Sequence, residues 1–351
     1  HRLVHDLSLT VVIAEHKLER VIQFADRIVQ INGDGVARVG TPEEILLDSP
    51  IAPPIVHLAR ALGLKDIGVS VREMRRMTND VRDGTYPQVN KSQPSTTDPV
   101  IQIKSVSVNY SEKQVLKSIT TDIHAQEIVA LMGRNGAGKS SLLKSIAGIL
   151  GDISGSITVD SKDPQRLKNS IRRETIGFIP QEPSDLLYGQ SVAIECEQAD
   201  FDNAVSPGTT LEILNQLVPG ISLHAHPRDL SEGQRLGLAL SVVLSANPKI
   251  LILDEPTRGL DYQAKNVLTR ILIEFARATG KCVLLATHDV ELVAELASRV
   301  IFIADGEVVA DGSTLDVLLS SPAFAPQVSK VMSPQPWIKI SDVISALDNP
   351  L

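Results

Sequence analysis

Eight consecutive residues carry the clearest chemistry in the chain: Gly133-Arg134-Asn135-Gly136-Ala137-Gly138-Lys139-Ser140, which fit G-x-x-x-x-G-K-[ST] in full. Glycines let a backbone wrap closely, so that several N–H groups point at phosphate oxygens, and a helix N-terminus adds its dipole. Lys139 is placed to reach the β- and γ-phosphates of a nucleotide, and the Ser140 hydroxyl to ligate Mg²⁺. A second constellation lies downstream. Ile250-Leu251-Ile252-Leu253 reads as a buried strand and ends in Asp254-Glu255. Beside bound phosphates, Asp254 would act on Mg²⁺ through its water shell, and Glu255 would polarise the attacking water.

Between them stands Leu230-Ser231-Glu232-Gly233-Gln234. With the phosphate loop, this pentapeptide resembles the signature of ATP-binding-cassette (ABC) ATPases, although Glu232 stands where Gly is commonest. The resemblance covers residues 100–320 and implies further roles. Tyr110 stacks on adenine, and Arg134, Asn135, Gly136, Ala137, Gly138 and Ser141 join Gly133, Lys139 and Ser140 around ATP. Gln181 joins the core to a helical subdomain and contacts Mg²⁺ or water, so Ser140, Gln181 and Asp254 form the metal set. His288 holds the γ-phosphate, and Gly259-Leu260-Asp261 crosses between cassettes. Lys139, Gln181, Glu255 and His288 are the catalytic set. The signature residues Leu230, Ser231, Glu232, Gly233 and Gln234 face the ATP of a second cassette, so two cassettes sandwich each nucleotide. Asp254-Glu255-Pro256-Thr257-Arg258-Gly259-Leu260-Asp261 looks like the energy-coupling factor branch, which drives uptake of vitamins and metal ions.

The elements that must position these residues are legible as short apolar runs. Val100 to Val108 alternates like a strand, and Glu127 to Met132, Lys249 to Leu253 and Lys281 to Ala286 are continuous apolar segments. Helices are expected from about Gly138, Asp261 and Val290, whereas residues 186–244 lack strand runs and read as an inserted helical subdomain. This alternation predicts an α/β fold with a mostly parallel central sheet. The resemblance specifies it as a P-loop NTPase cassette with an antiparallel β subdomain. An internal repeat lies at an offset of 272: Val11-Val12-Ile13-Ala14-Glu15-His16 matches Val283-Leu284-Leu285-Ala286-Thr287-His288, and Ser49-Pro50 matches Ser321-Pro322. Residues 1–76 thus read as the C-terminal remnant of a first cassette, keeping only His16 of the functional set. Residues 77–99 read as a flexible linker. Residues 100–347 read as a complete cassette whose extension, about 321–347, resembles that of the energy-coupling factor branch.

Composition narrows the classes. The 351 residues carry a net charge of −8, which weighs against nucleic-acid binding, and 3% aromatics leave little for base stacking. Two cysteines exclude a disulfide-stapled scaffold and fit a reducing setting. The longest nearly uncharged apolar stretch, Leu236 to Ala246, is short of a bilayer span, and no leader is visible at the start. The chain does not begin with Met, so it is expected to be a piece of something longer. The function expected is ATP hydrolysis powering an ABC importer from the cytoplasmic face of the membrane. Its partners would be a transmembrane coupling subunit, a substrate-binding membrane subunit and a second cassette, supplied in a longer chain or by dimerisation. The alternatives are a cassette ATPase of DNA repair or translation without a membrane partner, and a nucleotide-binding module that does not hydrolyse.

Overall fold

A computed structural model describes residues 9–15, 18–31, 35–86, 98–111, 113–278 and 280–348. His16 and residues 87–97 of the expected linker lie outside the described residues. The chain divides into two units.

One unit draws on residues 1–91, 261–263 and 318–351. Strands β1 (Ile28–Ile31) and β2 (Ala37–Gly40) form an antiparallel hairpin. Helix Pro42–Leu46 follows, closed by a capping box in which Thr41 and Glu44 satisfy each other's backbone amides. Helices Pro54–Ala61 and Val71–Met77 then pack against Gln327–Met332 and Ile340–Asp348. The core of this unit holds Ile22, Leu46, Ile55, Leu58, Met74, Val331 and the fully buried Trp337, whose ring meets Tyr86 edge-on at 4.9 Å. The helices of residues 54–77 and 327–348 meet across an approximate two-fold relation. Pro54–Ala61 touches Ile340–Asp348 while Val71–Met77 touches Gln327–Met332, the same pairing with the copies exchanged. The Ile55 amide donates to Gln327 Oε1 (3.3 Å), so two positions separated by the repeat offset of 272 meet each other. Within the expected linker, Asn79–Arg82 is helical, and Gln335 Nε2 donates to the carbonyls of Arg82 (2.7 Å) and Gly84 (3.0 Å).

The other unit spans residues 92–260 and 264–317. Strands β3 (Pro99–Tyr110), β4 (Lys113–His124) and β6 (Ile153–Val159) form an antiparallel sheet in the order β4-β3-β6. The larger sheet runs β11-β10-β5-β9-β8-β7, with β5 Ile128–Met132, β7 Ile176–Ile179, β8 Ile250–Asp254, β9 Cys282–Ala286, β10 Arg299–Ala304 and β11 Glu307–Ser313. All its pairings are parallel except β10 with β11. Every residue of β5, β8 and β9 is buried, which is why these strands read as continuous apolar runs. One core joins both sheets, from Ile101 and Leu116 to Val129, Leu143, Ile252 and Leu284. The α/β cassette architecture expected from the sequence is the one observed. Helices Val192–Asp202, Thr209–Leu217 and Glu232–Ser245 fill the predicted helical region around Val192, Cys196, Leu214, Leu230 and Leu238. Asp200 is buried there. Its carboxylate accepts from the Gly208 amide (2.6 Å), the Thr210 amide (2.8 Å) and the Thr210 hydroxyl (2.6 Å), the partners a buried charge requires.

Candidate functional site

In a parallel sheet, loops at the carboxyl ends of neighbouring strands meet in one crevice. Here β5 runs into the phosphate loop, β7 into Gln181, β8 into Glu255 and β9 into His288. The register sets Leu131 beside Ala286 and Ala286 beside Asp254, so residues distant in sequence end abreast. They line a cleft of about 730 Å³ with Asn135, Gly136, Gly138, Lys139, Ser140, Ser141, Gln181, Glu255 and His288 on its walls.

The phosphate loop holds its shape through two glycines. Gly133 has φ +149°, and a Cβ there would lie 2.2 Å from the Ile303 carbonyl oxygen. Gly138 has φ +108°, and its Cβ would meet Leu116 Cδ2 at 2.6 Å and the Val115 oxygen at 2.9 Å. Helix Lys139–Ile146 starts at once, with Gly138 as N-cap, so its first amides face the cleft. The Lys139 ammonium is almost buried. It donates to the carbonyls of Gly133 (3.0 Å) and Arg134 (3.4 Å) and lies 3.7 Å from Glu255 Oε1. Those carbonyls hold the cation over the loop, where a bound anion would meet it.

Glu255 leaves β8 in a left-handed conformation (φ +49°), and its amide donates to the Ala286 carbonyl at 2.8 Å. A non-glycine residue at positive φ carries strain, and here that strain turns the carboxylate into the cleft. Glu255 Oε2 lies 2.8 Å from His288 Nδ1, and the His288 side chain is half exposed. His288 is presented by the turn after β9, where buried Thr287 accepts the Asp289 amide and Asp289 caps helix Val290–Leu296.

Asp254 is buried, and its Oδ1 has no hydrogen-bond partner. Burial pushes its carboxyl above the ordinary carboxylate range, while a hydrogen bond to Ser140 pulls the other way. An orphaned acceptor beside a hydroxyl, with Gln181 on the same cleft, fits a hard cation. Among the described residues no cluster of three or more His, Cys, Asp or Glu could hold a metal by itself. That donor set suits Mg²⁺, which keeps few protein ligands and takes the rest from phosphates and water.

Several sequence-predicted residues are not among those that line the cleft. Tyr110, half exposed at the end of β3, pairs with Lys113 across the hairpin and is not among the cleft-lining residues. Ala137, within the loop, is buried. The signature residues lie at the start of helix Glu232–Ser245, outside the cleft wall. Ser231 caps that helix, accepting from the Gln234 amide (3.3 Å) while Gln234 Oε1 accepts from the Ser231 amide (3.1 Å). Glu232 pairs with Arg235 at 2.9 Å, and Leu230 is buried. Conversely, Lys113, Val115 and Arg258 line the cleft without having been singled out. Arg258 belongs to the run Asp254–Asp261, whose pattern gives it no role of its own. Lys113 and Val115 had no sequence signal, because only the β3–β4 register brings them there.

The cleft therefore brings Lys139 and an imidazole to one carboxylate, with Lys113 and Arg258 also on its wall, at a helix N-terminus that offers unpaired amides. Such an arrangement suits a polyanion.

Comparison with known proteins agrees. The ABC transporter family model matches residues 116–258. A putative ABC transporter ATP-binding protein of Streptomyces avermitilis is 44% identical across 99% of this chain and 67% of its own length. One from Clostridium tetani is 30% identical, covering 94% of the chain and 76% of the relative. Among solved structures, cbiO1 from Clostridium perfringens, part of the ABC transporter complex cbiONQ, has TM-score 0.57 and 29% identity over 68% of this chain and 97% of its own. A dimeric cassette in a post-hydrolysis state bound to ADP and Pi has TM-score 0.54 and 26% identity, over 61% and 98%. The cleft at the strand ends and these likenesses converge: the chain belongs to the ATP-binding proteins of the ABC transporter family and is an ATPase.

Proposed function

We propose that the cleft binds Mg²⁺–ATP and that hydrolysis there drives an importer of the energy-coupling factor type. The convergence of Lys139, Gln181, Glu255 and His288 on one cleft carries the nucleotide part of this reading. In it, the phosphate-loop amides and Lys139 bind the triphosphate, and His288 holds the γ-phosphate. Mg²⁺ would be held by Ser140, Gln181 and Asp254, where it neutralises phosphate charge. Glu255 takes the proton of the attacking water and is itself oriented by His288. Ser231 and Gly233 would face the nucleotide of a second cassette, so that closure excludes water and completes each site.

The importer part rests on the 272-residue offset and on the likeness to cbiO1, which belongs to a transporter complex. Residues 1–76 are, in this reading, the end of a first cassette, and residues 100–347 a full one. Their counterpart elements run in the same order: β1, β2, Pro42–Leu46, Pro54–Ala61 and Val71–Met77 correspond to β10, β11, Thr314–Leu319, Gln327–Met332 and Ile340–Asp348. Among the described residues no helix is long and apolar enough to cross a membrane, so a membrane partner would be met peripherally. Its seat is the segment after Gln181. Leu187 there packs against the small helical core, while Tyr188 is 83% exposed. The experiment is to pull the tagged chain from detergent-solubilised membranes of its source. Recovery of polytopic membrane proteins, lost with Tyr188→Asp, supports the importer reading; recovery without any membrane protein refutes it.

A further inference from the structure

Arg258 lies on the cleft wall, yet the roles assigned above leave it unused. It sits three residues beyond Glu255, in a turn where its amide donates to the Glu255 carbonyl at 3.2 Å and the Leu260 amide to the Thr257 carbonyl at 3.3 Å. Thr257 and Leu260 are buried, so the backbone of this turn is fixed from below. The guanidinium of Arg258 points across to Glu182 and forms a hydrogen-bonded ion pair with its carboxylate. Glu182 directly follows Gln181 and opens the short 3-10 turn Pro183–Leu186, where the Asp185 amide returns to the Glu182 carbonyl at 3.0 Å. The same turn meets the signature elements on its other flank: a Cβ at Gly259 (φ +73°) would lie 2.9 Å from Glu232 Cγ. The five-residue run Glu255–Gly259 thus carries the general base at one end and abuts the signature helix at the other. Between them it grips the segment proposed as the membrane partner's seat.

We propose that Arg258 is a positioning residue of the ATPase site: its ion pair with Glu182 fixes the Gln181 segment against the turn that carries Glu255. Movement of residues 181–188 is then transmitted to the catalytic carboxylate through one side-chain contact rather than through the sheet. The inference rests on the catalytic role of Gln181 and Glu255 given above. Both side chains are more than half exposed, at 61% and 51%, so the pair adds little stability, and its value is geometric.

The test is steady-state ATP hydrolysis by the full chain, with nucleotide affinity measured separately by fluorescent-nucleotide competition. Arg258→Gln and Glu182→Gln are each expected to lower kcat by about five-fold, the scale of one exposed ion pair. Affinity and Tm should stay at the wild-type value. The charge-exchanged double variant Glu182→Arg/Arg258→Glu is expected to recover most of the loss, which a merely structural role would not produce. An unchanged kcat in both single variants overturns the proposal. So does weaker nucleotide affinity confined to Arg258→Gln, because that marks a direct phosphate contact. If the wild-type chain hydrolyses nothing, the site reading fails on its own. Amide exchange across residues 181–188 then decides the contact: faster exchange in both single variants and not in the double one supports it, and equal exchange in all overturns it.

Discussion

Replacing Glu255 by Gln isolates the chemistry of one oxygen. The side chain keeps its shape, and an amide can still meet His288 Nδ1, now 2.8 Å from Glu255 Oε2. What is lost is a negative charge 3.7 Å from the Lys139 ammonium and the ability to take a proton. A positioned general base contributes about 10²- to 10⁴-fold to rate, so kcat should fall at least about a hundred-fold, close to 2.7 kcal/mol of transition-state stabilisation. Binding should move the other way. Lys139 would no longer be shared with a carboxylate, and an anionic γ-phosphate would no longer face a fixed negative charge. Two unit charges about 4 Å apart interact by roughly 4 kcal/mol at an effective dielectric of 20. Screening by Mg²⁺ cuts that strongly, so a gain of a few-fold in ATP affinity is the expected residue. Phosphate-release kinetics and nucleotide competition on the same preparation read both numbers. A kcat within three-fold of wild type would refute the general-base assignment, and a large loss of affinity would show that Glu255 is needed for binding instead.

Three further outcomes follow from packing and burial. Gly138→Ala should abolish nucleotide binding by equilibrium dialysis, because its Cβ would collide with Leu116 and the Val115 carbonyl at 2.6 and 2.9 Å. Trp337→Ala removes the largest buried side chain of the core formed by residues 54–77 and 327–348 and should cost about 3–5 kcal/mol, read as a lowered thermal transition; an unchanged transition would deny this core its role. Burial pushes both thiols, Cys196 and Cys282, up to about 12, so neither should react with a thiol reagent at about pH 8 until the chain is unfolded in urea. The sign is that of an acid whose folded value is raised from 9.0: these groups cost no stability at neutral pH and begin to lower it only as pH climbs above 9.0.

The sequence was most informative where function compresses residues into a contiguous run. Lys139, Asp254 and Glu255 could be placed because each ends or begins an element whose boundary is written locally: glycines before a helix, or carboxylates after an apolar strand. The central sheet was legible for the same reason, since β5, β8 and β9 are buried on both faces and carry no charged residue but Asp254 at the end of β8. What depended on antiparallel register was not legible. Lys113 and Val115 reach the cleft through pairings of β3 with β4 that contain several register shifts, while Tyr110, the register partner of Lys113, is not itself among the lining residues. The meeting of residues 54–77 with 327–348 was equally hidden. The repeat showed that these helices are alike, but likeness does not say that they face each other. That is decided by apolar faces such as Ile55, Leu58, Val328 and Val331 closing on one another.

The most direct test of the account is calorimetric titration of Mg²⁺–ATP into the wild-type chain and into Lys139→Ala. One binding event per chain is expected, weakened about ten- to a hundred-fold by the substitution, the range for losing charge-assisted hydrogen bonds to phosphate. Equal affinities in the two proteins would contradict it.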